Sequence, residues 1–325
     1  MKILVTGGSG YIGSFTSKSL LDKDYEVVIA DDLERGHKEV LDKRATLEQG
    51  NLLDKDFVAY LFQKHKFDGV IHFAGYISMA ESTERPYMYF ENNVFTAINL
   101  LDNMYRNGVN NFIFSSTAGV YGSPKYTPIP EDHPKNPENP YGESKLIVER
   151  ILSWSNKIHG ISFAALRYFN ASGAALDGSM GEGHNPETHI IPNAIKAALK
   201  GTDFILYGED YDTPDKTCVR DYIHILDLAE AHILALNKLI KDKGEYIYNV
   251  GTGKGYSNKE VIEMVKMVSG IDFKVNIAGR RPGDVSKLVA DPTRIQKELS
   301  FRPYHSSLGT IVETAWLWHK KSLNN

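Results

Sequence analysis

The chain has 325 residues, of which 42% are hydrophobic and 24% are charged, and its formal net charge is −4. This composition is typical of a globular protein with one large or two moderate domains. It offers no basic surface for nucleic acid or anionic membranes, and no apolar run reaches membrane-spanning length. We therefore expect neither nucleic acid nor a membrane as a partner.

Two further features concern the compartment. Cys218 is the only cysteine, so an intrachain disulfide is impossible. The chain begins directly with a strand-like run and lacks the longer apolar core and cleavage site of a signal peptide. Both features fit a reducing compartment, and we expect a cytoplasmic protein.

The first 31 residues predict a strand, a Gly-rich turn, a helix and a second strand. Residues 3–5 form a short apolar run typical of a strand buried on both faces. Gly7, Gly10 and Gly13 follow it with the spacing Gly-x-x-Gly-x-x-Gly, a variant of the dinucleotide fingerprint. Such glycines let a pyrophosphate approach the backbone, and the helix N-terminus supplies amide donors. Asp31, at the end of the second strand, stands where a carboxylate binds the adenosine ribose.

The acidic pair Asp31-Asp32 indicates which cofactor is bound. Two carboxylates at this point would repel the 2′-phosphate of NADP, so the sequence favours NAD. Arg35 lies close enough in sequence to keep NADP open as an alternative.

Strands and helices then alternate. Strand-like runs occur at 45–48, 70–73 and 112–116, and helices are predicted at 54–65 and 86–107. This alternation predicts a parallel sheet with helices on both faces, whose ligands lie beyond the carboxyl ends of the strands. Gly75, Ser116 and Thr117 should therefore lie near the cofactor. His72 is interpreted as an ordinary strand residue, and we predict no metal site.

Residues 123–140 contain six of the 13 prolines and predict a stiff loop over the site. The loop leads to Tyr141 and Lys145, which are four residues apart and share one face of a helix predicted at 141–159. A phenol titrates near pH ~10, and a neighbouring ammonium lowers its pKa. The pair is therefore suited to proton transfer in a hydroxyl–carbonyl interconversion.

The second half continues in the same style. A strand at 163–168 precedes a loop at 171–187, whose four glycines suit closure over a ligand. Helices are predicted at 190–200, 226–240, 258–269 and 308–321, and short strands at 204–207, 222–225, 246–250 and 273–275. We predict an α/β fold with a Rossmann-type doubly wound parallel sheet at 1–170. A smaller mixed α/β substrate domain should follow at 171–325, across a boundary that the chain could cross more than once.

Several short stretches, in this order and spacing, are together highly specific; they are 5–13, 72–75, 91–94, 114–122, 140–145, 166–170, 219–224 and 280–284. On them the chain resembles the extended short-chain dehydrogenase/reductase superfamily. Within it, the chain is most similar to the UDP-glucose 4-epimerases, over almost its whole length.

The resemblance implies an NAD-dependent enzyme that interconverts UDP-galactose and UDP-glucose by transient oxidation at sugar C4, through a 4-keto intermediate. Tyr141 would be the acid/base, and Lys145 would bind the nicotinamide ribose and lower the tyrosine pKa. Thr117 would bridge the tyrosine and the sugar 4-hydroxyl. The resemblance also implies a homodimer formed through the helices at 86–107 and 141–159.

The resemblance further implies two binding sets. The cofactor set is Gly7, Gly10, Tyr11, Ile12, Gly13, Asp31, Asp32, Asn51, Leu52, Phe73, Ala74, Gly75, Asn92, Ser115, Tyr141, Lys145 and Tyr168. The substrate set is Thr117, Tyr141, Asn170, Arg220, Arg281, Asp284 and Leu288. Arginine forks suit a diphosphate, and an aspartate can accept from ribose hydroxyls.

Two positions depart from the family pattern. Asn51 stands where members commonly have an aspartate that accepts from the adenine amino group, although an amide oxygen can still accept. Ile77 stands where some members have a lysine, which removes one possible polar contact.

Three alternatives remain open. One is another nucleotide-sugar enzyme of this fold, such as a uronate epimerase or a 4,6-dehydratase; dehydratases resemble one another in a Thr-Asp-Glu triplet, whereas this chain has Thr117-Ala118-Gly119. A second is a UDP-N-acetylhexosamine 4-epimerase. A third is a non-catalytic NAD-binding regulator, against which Tyr141, Lys145 and Thr117 argue.

Overall fold

The computed structural model describes residues 1–184, 186–281 and 283–322. Its strands are β1 (Lys2–Thr6), β2 (Glu26–Asp31), β3 (Thr46–Gln49), β4 (Gly69–His72), β5 (Asn111–Thr117), β6 (Ser162–Tyr168), β7 (Asn170–Ser172), β8 (Phe204–Tyr207), β9 (Val219–His224), β10 (Glu245–Val250), β11 (Gly255–Ser257), β12 (Val275–Ala278) and β13 (Lys287–Leu288). Its α-helices are α1 (Tyr11–Leu21), α2 (Lys55–Lys64), α3 (Met79–Glu84), α4 (Pro86–Phe90), α5 (Thr96–Asn107), α6 (Pro140–His159), α7 (Ile190–Lys200), α8 (Ile225–Lys241), α9 (Asn258–Ser269), α10 (Thr293–Leu299) and α11 (Leu308–Ser322).

Seven strands form one parallel sheet in the order β10-β6-β5-β4-β1-β2-β3. The predicted Rossmann-type fold class is confirmed. The strand order reverses between β1 and β4, because the chain runs outward to β3 and then returns to start again beside β1. In open α/β sheets this switch point forms the crevice that binds ligands.

Alternating side chains of the central strands feed two separate cores. Ile3 and Val5 of β1 pack on one face with α1 and α8, whereas Leu4 packs on the other face with α2, α5 and α6. Both faces of the strand are therefore buried, which explains the continuous apolar run at 3–5.

The second half has a core of its own, built by α7, α9 and α11 with Phe204 and Leu206 of β8. Beside it, β9 is the centre of a small sheet: it pairs with β7 and β13 in parallel and with β11 antiparallel. Strands β8 and β12 form a separate parallel pair.

A single cut at residue 170 does not describe this arrangement. Strand β10 pairs with β6 in the main sheet, and α8 packs against α1. Tyr248 and Val250 of β10 are fully buried in the core of the main sheet. The chain therefore returns to the first domain after β9. The sequence had allowed for such a crossing but had not located it.

Other differences are local. The predicted helix at 86–107 is α4 and α5 joined by a π-helical turn at Glu91–Phe95. The strands predicted at 222–225 and 273–275 occur at β9 and β12, shifted by two or three residues. Among the described residues, no helix is both long and apolar enough to cross a membrane.

Candidate active site

The Gly-rich turn between β1 and α1 lies directly against the loop after β4. Gly7 has φ +70°, and a Cβ there would be 2.5 Å from the Ala74 backbone nitrogen. A Cβ on Gly13 would be 2.2 Å from the Gly7 carbonyl oxygen. Gly10 caps α1 without any side-chain hydrogen bond, so the first amides of the helix are left without a cap. Such a turn suits a pyrophosphate.

Tyr11 and Ile12 open α1, and both pack against the main core. The Tyr11 hydroxyl donates to the Gly173 carbonyl oxygen at 2.6 Å, which joins the turn to the second half of the chain.

Asp31 and Asp32 lie at the carboxyl end of β2, but they have different partners. Asp31 accepts from the backbone amides of Ser9 at 3.0 Å and Leu33 at 2.9 Å. Asp32 accepts from the Asn51 amide nitrogen at 3.1 Å, and the Asn51 amide oxygen accepts from the Leu53 backbone at 2.8 Å. One acceptor site of that oxygen is thus already used, although a carbonyl has two. Leu52 beside it is buried.

The opposite wall of the crevice is the segment after β4. Phe73 and Ala74 donate their backbone amides to the Thr6 carbonyl at 3.0 and 3.1 Å. Gly75 follows with φ +154°, and a Cβ there would be 3.6 Å from the Lys145 Nζ. The Gly75 backbone therefore approaches the predicted catalytic lysine closely.

Asn93 was not among the predicted site residues, yet it holds this wall in place. Its side chain accepts from the Tyr76 amide at 2.8 Å and donates to the Tyr76 carbonyl at 3.0 Å. It also donates to the Ser144 hydroxyl at 3.0 Å, and Asn92 donates to its oxygen at 3.2 Å. Although Asn93 stands in the matching stretch 91–94, its hydrogen-bonding role depends on the π-helical turn, which only the structure shows.

The predicted proton-transfer residues converge at the N-terminus of α6. Asn139 caps the helix by accepting from the Gly142 amide at 2.9 Å. A Cβ on Gly142 would be 2.7 Å from the Gly119 carbonyl oxygen, so the helix start approaches the end of β5. Thr117 and Tyr141 meet there, and both are buried. Burial raises the Tyr141 pKa, and a hydrogen bond with Thr117 acts in the opposite direction.

Lys145 is fully buried one helical turn further on. Its Nζ donates to the Ser115 carbonyl at 3.0 Å and lies 5.0 Å from the centre of the Phe114 ring. Burial lowers its pKa to about 8. Burial is the largest influence on the Tyr141 pKa, and Thr117 supplies an opposing one. That Lys145 lowers the tyrosine pKa stays a prediction.

A buried network supports the two strands that carry these groups. Arg167 of β6 forms a two-pronged ion pair with Glu149 of α6, at 2.9 and 2.6 Å, and Glu149 also accepts from Ser116 at 2.6 Å. The hydroxyls of Ser115 and Tyr168 are 2.6 Å apart. Arg167 and Glu149 were not predicted, because a buried ion pair has no spacing signal in one sequence.

The predicted substrate residues gather around β9. Asn170 donates to the Asp221 carbonyl at 2.8 Å. Arg220 donates to the Val285 carbonyl at 2.8 Å, and its guanidinium is 3.7 Å from Asp284, to which Arg281 donates at 3.2 Å. The structure thus joins two arginines through one carboxylate. Pro282, in the middle of the matching stretch 280–284, lies outside the described residues.

Leu288 lies in β13, opposite Arg220 of β9. It packs against a small core that contains Ala118, Leu146 and Phe169. These neighbours flank Thr117 and the helix of Tyr141, so Leu288 is close to the proton-transfer residues.

The model of the NAD dependent epimerase/dehydratase family matches residues 3–251. The chain belongs to this family. A UDP-glucose 4-epimerase of Lactobacillus helveticus is 46% identical over 321 residues, which cover 98% of this chain and 97% of the relative.

Two solved structures of the family are informative. A UDP-glucose 4-epimerase from Bifidobacterium longum, in complex with NAD+ and UDP, has a TM-score of 0.93 at 36% identity and covers 100% of this chain and 99% of its own. A UDP-Glc/GlcNAc 4-epimerase from Campylobacter jejuni has a TM-score of 0.86 at 39% identity, covering 98% and 99%. The predicted resemblance and the NAD cofactor are confirmed.

Proposed function

We propose that this chain is an NAD-dependent UDP-glucose 4-epimerase, which interconverts UDP-galactose and UDP-glucose through a 4-keto sugar. The observation that carries the proposal is the meeting of Tyr141, Thr117 and Lys145 at the sheet edge that also holds the Gly-rich turn. Relatives of this name match the chain over almost its entire length.

The residues present fit NAD. The uncapped start of α1 and the crowded Gly7 turn suit the pyrophosphate, and Asp31 keeps acceptor sites for the ribose hydroxyls. The remaining predicted cofactor residues would line the same crevice, from Asn51 and Leu52 through Phe73, Ala74 and Gly75 to Asn92. When bound, NAD supplies a reversible hydride acceptor for sugar C4.

Tyr141 would then handle the proton. It takes the proton of the sugar 4-hydroxyl, either directly or by way of the Thr117 hydroxyl. It returns a proton to the 4-keto oxygen when the sugar is reduced. The buried Lys145 ammonium, held by the Ser115 carbonyl, would bind the nicotinamide ribose. Ser115 and Tyr168 would orient the neighbouring part of the cofactor site through their shared hydrogen bond.

The substrate diphosphate would be held by Arg220 and Arg281, with Asp284 accepting from the uridine ribose and Asn170 fixing the segment after β6. Leu288 would contact the hexose. Anchors that are remote from C4 can retain the 4-keto intermediate while the sugar turns over.

Individual residues distinguish the proposed function from its alternatives. Ala118 and Gly119 carry neither of the acids of the dehydratase triplet, so elimination of water has no acid/base pair there. The C. jejuni relative acts on both UDP-Glc and UDP-GlcNAc. Activity on N-acetylated sugars is therefore a secondary proposal for this chain, and it depends on Leu288.

Incubation of the purified protein with UDP-galactose tests the proposal. We expect UDP-glucose as the product, approached from both directions to the same equilibrium ratio. A dehydrated sugar nucleotide would indicate a 4,6-dehydratase, and the absence of any product would indicate a non-catalytic NAD-binding protein; either result would overturn the proposal.

We also propose a homodimer and a cytoplasmic location. Support for the dimer comes from exposed apolar side chains on α4, on the π-helical turn that joins it to α5, and on α6, within the helices that the resemblance singles out; they include Tyr87, Phe95, Trp154 and Ile158. Support for the location comes from the single cysteine, Cys218, which is buried. The second-half core of α7, α9 and α11 is the proposed UDP-sugar domain.

A further inference from the structure

Four side chains of the loop that leads into α7 converge on one point. Glu182, His184, Glu187 and His189 each offer a ligand atom, and these atoms all lie within 4.8 Å of one another. The two histidine Nδ1 atoms lie 2.8 and 2.6 Å from the same oxygen, Oε1 of Glu182. His189 Nδ1 is also 3.1 Å from Oε1 of Glu187. None of these residues belongs to the proposed active site.

Both carboxylates are withdrawn from water. The side chains of Glu182 and Glu187 are 5% and 4% exposed. Oε2 of Glu187 is buried and has no hydrogen-bond partner among the described residues, and the Lys196 ammonium is 3.8 Å away from it. A buried carboxylate oxygen without a hydrogen bond is costly, and a bound cation would satisfy it.

The donor set and the spacing indicate the class of cation. Imidazole nitrogen with carboxylate oxygen is a ligand set of Zn²⁺, whereas Mg²⁺ and Ca²⁺ take oxygen ligands. Ligands at ~2.05 Å from a tetrahedral Zn²⁺ are roughly 3.3 Å apart. The contacts between 2.6 and 3.1 Å are a few tenths of an ångström shorter, so small side-chain rotations would open the cluster around an ion.

We propose that Glu182, His184, Glu187 and His189 form a structural Zn²⁺ site. The pattern Glu-x-His-x-x-Glu-x-His at 182–189 is its sequence signal, which the expectation of no metal had overlooked. All four positions are filled by protein, as in structural sites, whereas a catalytic zinc keeps an open position.

The surroundings indicate what the ion would stabilise. The Glu182 carbonyl accepts from the Trp318 indole of α11 at 3.0 Å. The Tyr11 ring of α1 meets His184 edge-on at 6.3 Å between ring centres. The ion would fasten the loop to α7, and through these contacts to α11 and to the start of the dinucleotide turn. Its removal should loosen the contact between the two halves of the chain.

Metal binding by the whole protein tests the site. Tag-free protein is treated with a chelator, exchanged into metal-free buffer and titrated with Zn²⁺ in a calorimeter. We expect one Zn²⁺ per chain, and X-ray absorption at the zinc edge should count two imidazole ligands. Titration with Co²⁺ should give the intense visible bands of four-coordinate cobalt.

Variants assign the site to these residues. Glu182→Gln and His184→Asn should each weaken Zn²⁺ binding at least ~10-fold, because the first replaces a charged carboxylate with a neutral amide and the second removes an imidazole ligand. His65→Asn is the matched control, since His65 forms a comparable pair with Glu48 at 2.7 Å outside the loop. It should bind Zn²⁺ as the unaltered protein does.

Three results would overturn the proposal: binding by the unaltered protein well below one equivalent, a zinc spectrum without two imidazoles, or unchanged binding in both loop variants. The first two need no variant, so poor folding of a variant cannot hide the answer. The four converging side chains would then be explained as a hydrogen-bonded cluster without a metal. Epimerase activity is not the readout, so failure of the metal site and failure of the proposed function are distinguishable.

Discussion

At the scale of single residues, the proposed chemistry depends on side chains whose pKa values are shifted by burial. Tyr141 and Lys145 are both withdrawn from water, and burial disfavours the charged form of each: it raises the tyrosine pKa and lowers the lysine pKa to about 8. Burial therefore opposes the phenolate form that Tyr141 needs in order to take up the sugar proton. Deprotonation needs help from Thr117 and from the ligands that the site binds.

Tyr141→Phe should lower kcat at least ~10²-fold, the usual scale for general acid/base catalysis, while UDP-sugar binding persists. The change removes one hydroxyl and leaves the ring packing intact. Tyr248→Phe is the control, because Tyr248 is equally buried but bonds to Glu298 away from the site. Steady-state kinetics and calorimetric binding of UDP-glucose measure the two effects. Near-normal turnover by the phenylalanine variant would remove Tyr141 from the mechanism.

Leu288 is the residue on which we expect the choice of sugar to depend. It is partly buried beside Ala118 and Phe169, so the space around it is limited. Leu288→Tyr should lower kcat/KM for the N-acetylated UDP-hexoses more than for UDP-glucose and UDP-galactose, because the larger ring opposes the larger substituent. Leu288→Met, which conserves volume, should leave kcat/KM unchanged for both pairs of substrates. Equal losses for both substrate pairs would show that Leu288 does not control the choice.

At the scale of elements, the unit β1–α1–β2 is the proposed determinant of the cofactor. The Gly-rich turn and the terminal Asp31-Asp32 pair were predictable from the sequence, because the local backbone sets the positions of the glycines and the carboxylates. Arg35, which kept NADP open, is held by Glu81 through two hydrogen bonds at 2.8 and 2.9 Å. It is therefore occupied away from any 2′-phosphate.

We expect protein purified under native conditions and then denatured to release NAD or NADH. The acidic pair repels a 2′-phosphate, and the only nearby arginine predicted to bind one is already paired with Glu81. Mass spectrometry of the released nucleotide identifies the cofactor. Release of mainly NADP(H) would contradict the role of Asp31 and Asp32.

Elements also mark the limit of what one sequence predicts. Long helices such as α6 and α8 and the buried strands were placed well, because their periodicity is strong. Strands β7, β11 and β13 were missed, since two or three residues carry no period. The sequence allowed a crossing of the domain boundary but did not identify β10 as the returning strand, because the pairing of Glu245 with Phe163 depends on tertiary packing. The same limit applies to Asn93 and to the Arg167–Glu149 pair.

At the scale of the whole molecule, three buried histidines couple stability to pH. Burial, with the Lys145 charge, lowers the His72 pKa to about 3; burial, with His305, lowers that of His224 to about 3; burial lowers that of His232 to about 4. Unfolded histidines titrate near ~6.5, so the unfolded chain binds more protons below that pH.

The free energy of unfolding should therefore fall as pH drops from ~6.5 toward ~4. Each of the three histidines contributes up to about 1.4 kcal/mol per pH unit. Urea unfolding at several pH values measures how the free energy of unfolding depends on pH. His232→Asn should reduce this slope by the contribution of one proton, up to about 1.4 kcal/mol per pH unit. A stability that is flat or rising over this interval would mean that the three histidines do not stay neutral in the folded protein.

The proposed dimer also belongs to the whole molecule. Trp154 and Ile158 of α6 are 63% and 65% exposed, and Tyr87 and Phe95 project from the neighbouring helical segment. Two adjacent helices with such faces form one apolar surface, which a second copy can cover. Ile158→Arg places a charge on this surface and should convert the dimer to monomer in sedimentation velocity. Met267→Arg, on an equally exposed helical position of α9, should leave the dimer intact. A monomeric unaltered protein would overturn the proposed dimer, and a dimer that persists in Ile158→Arg would place the interface away from this part of α6.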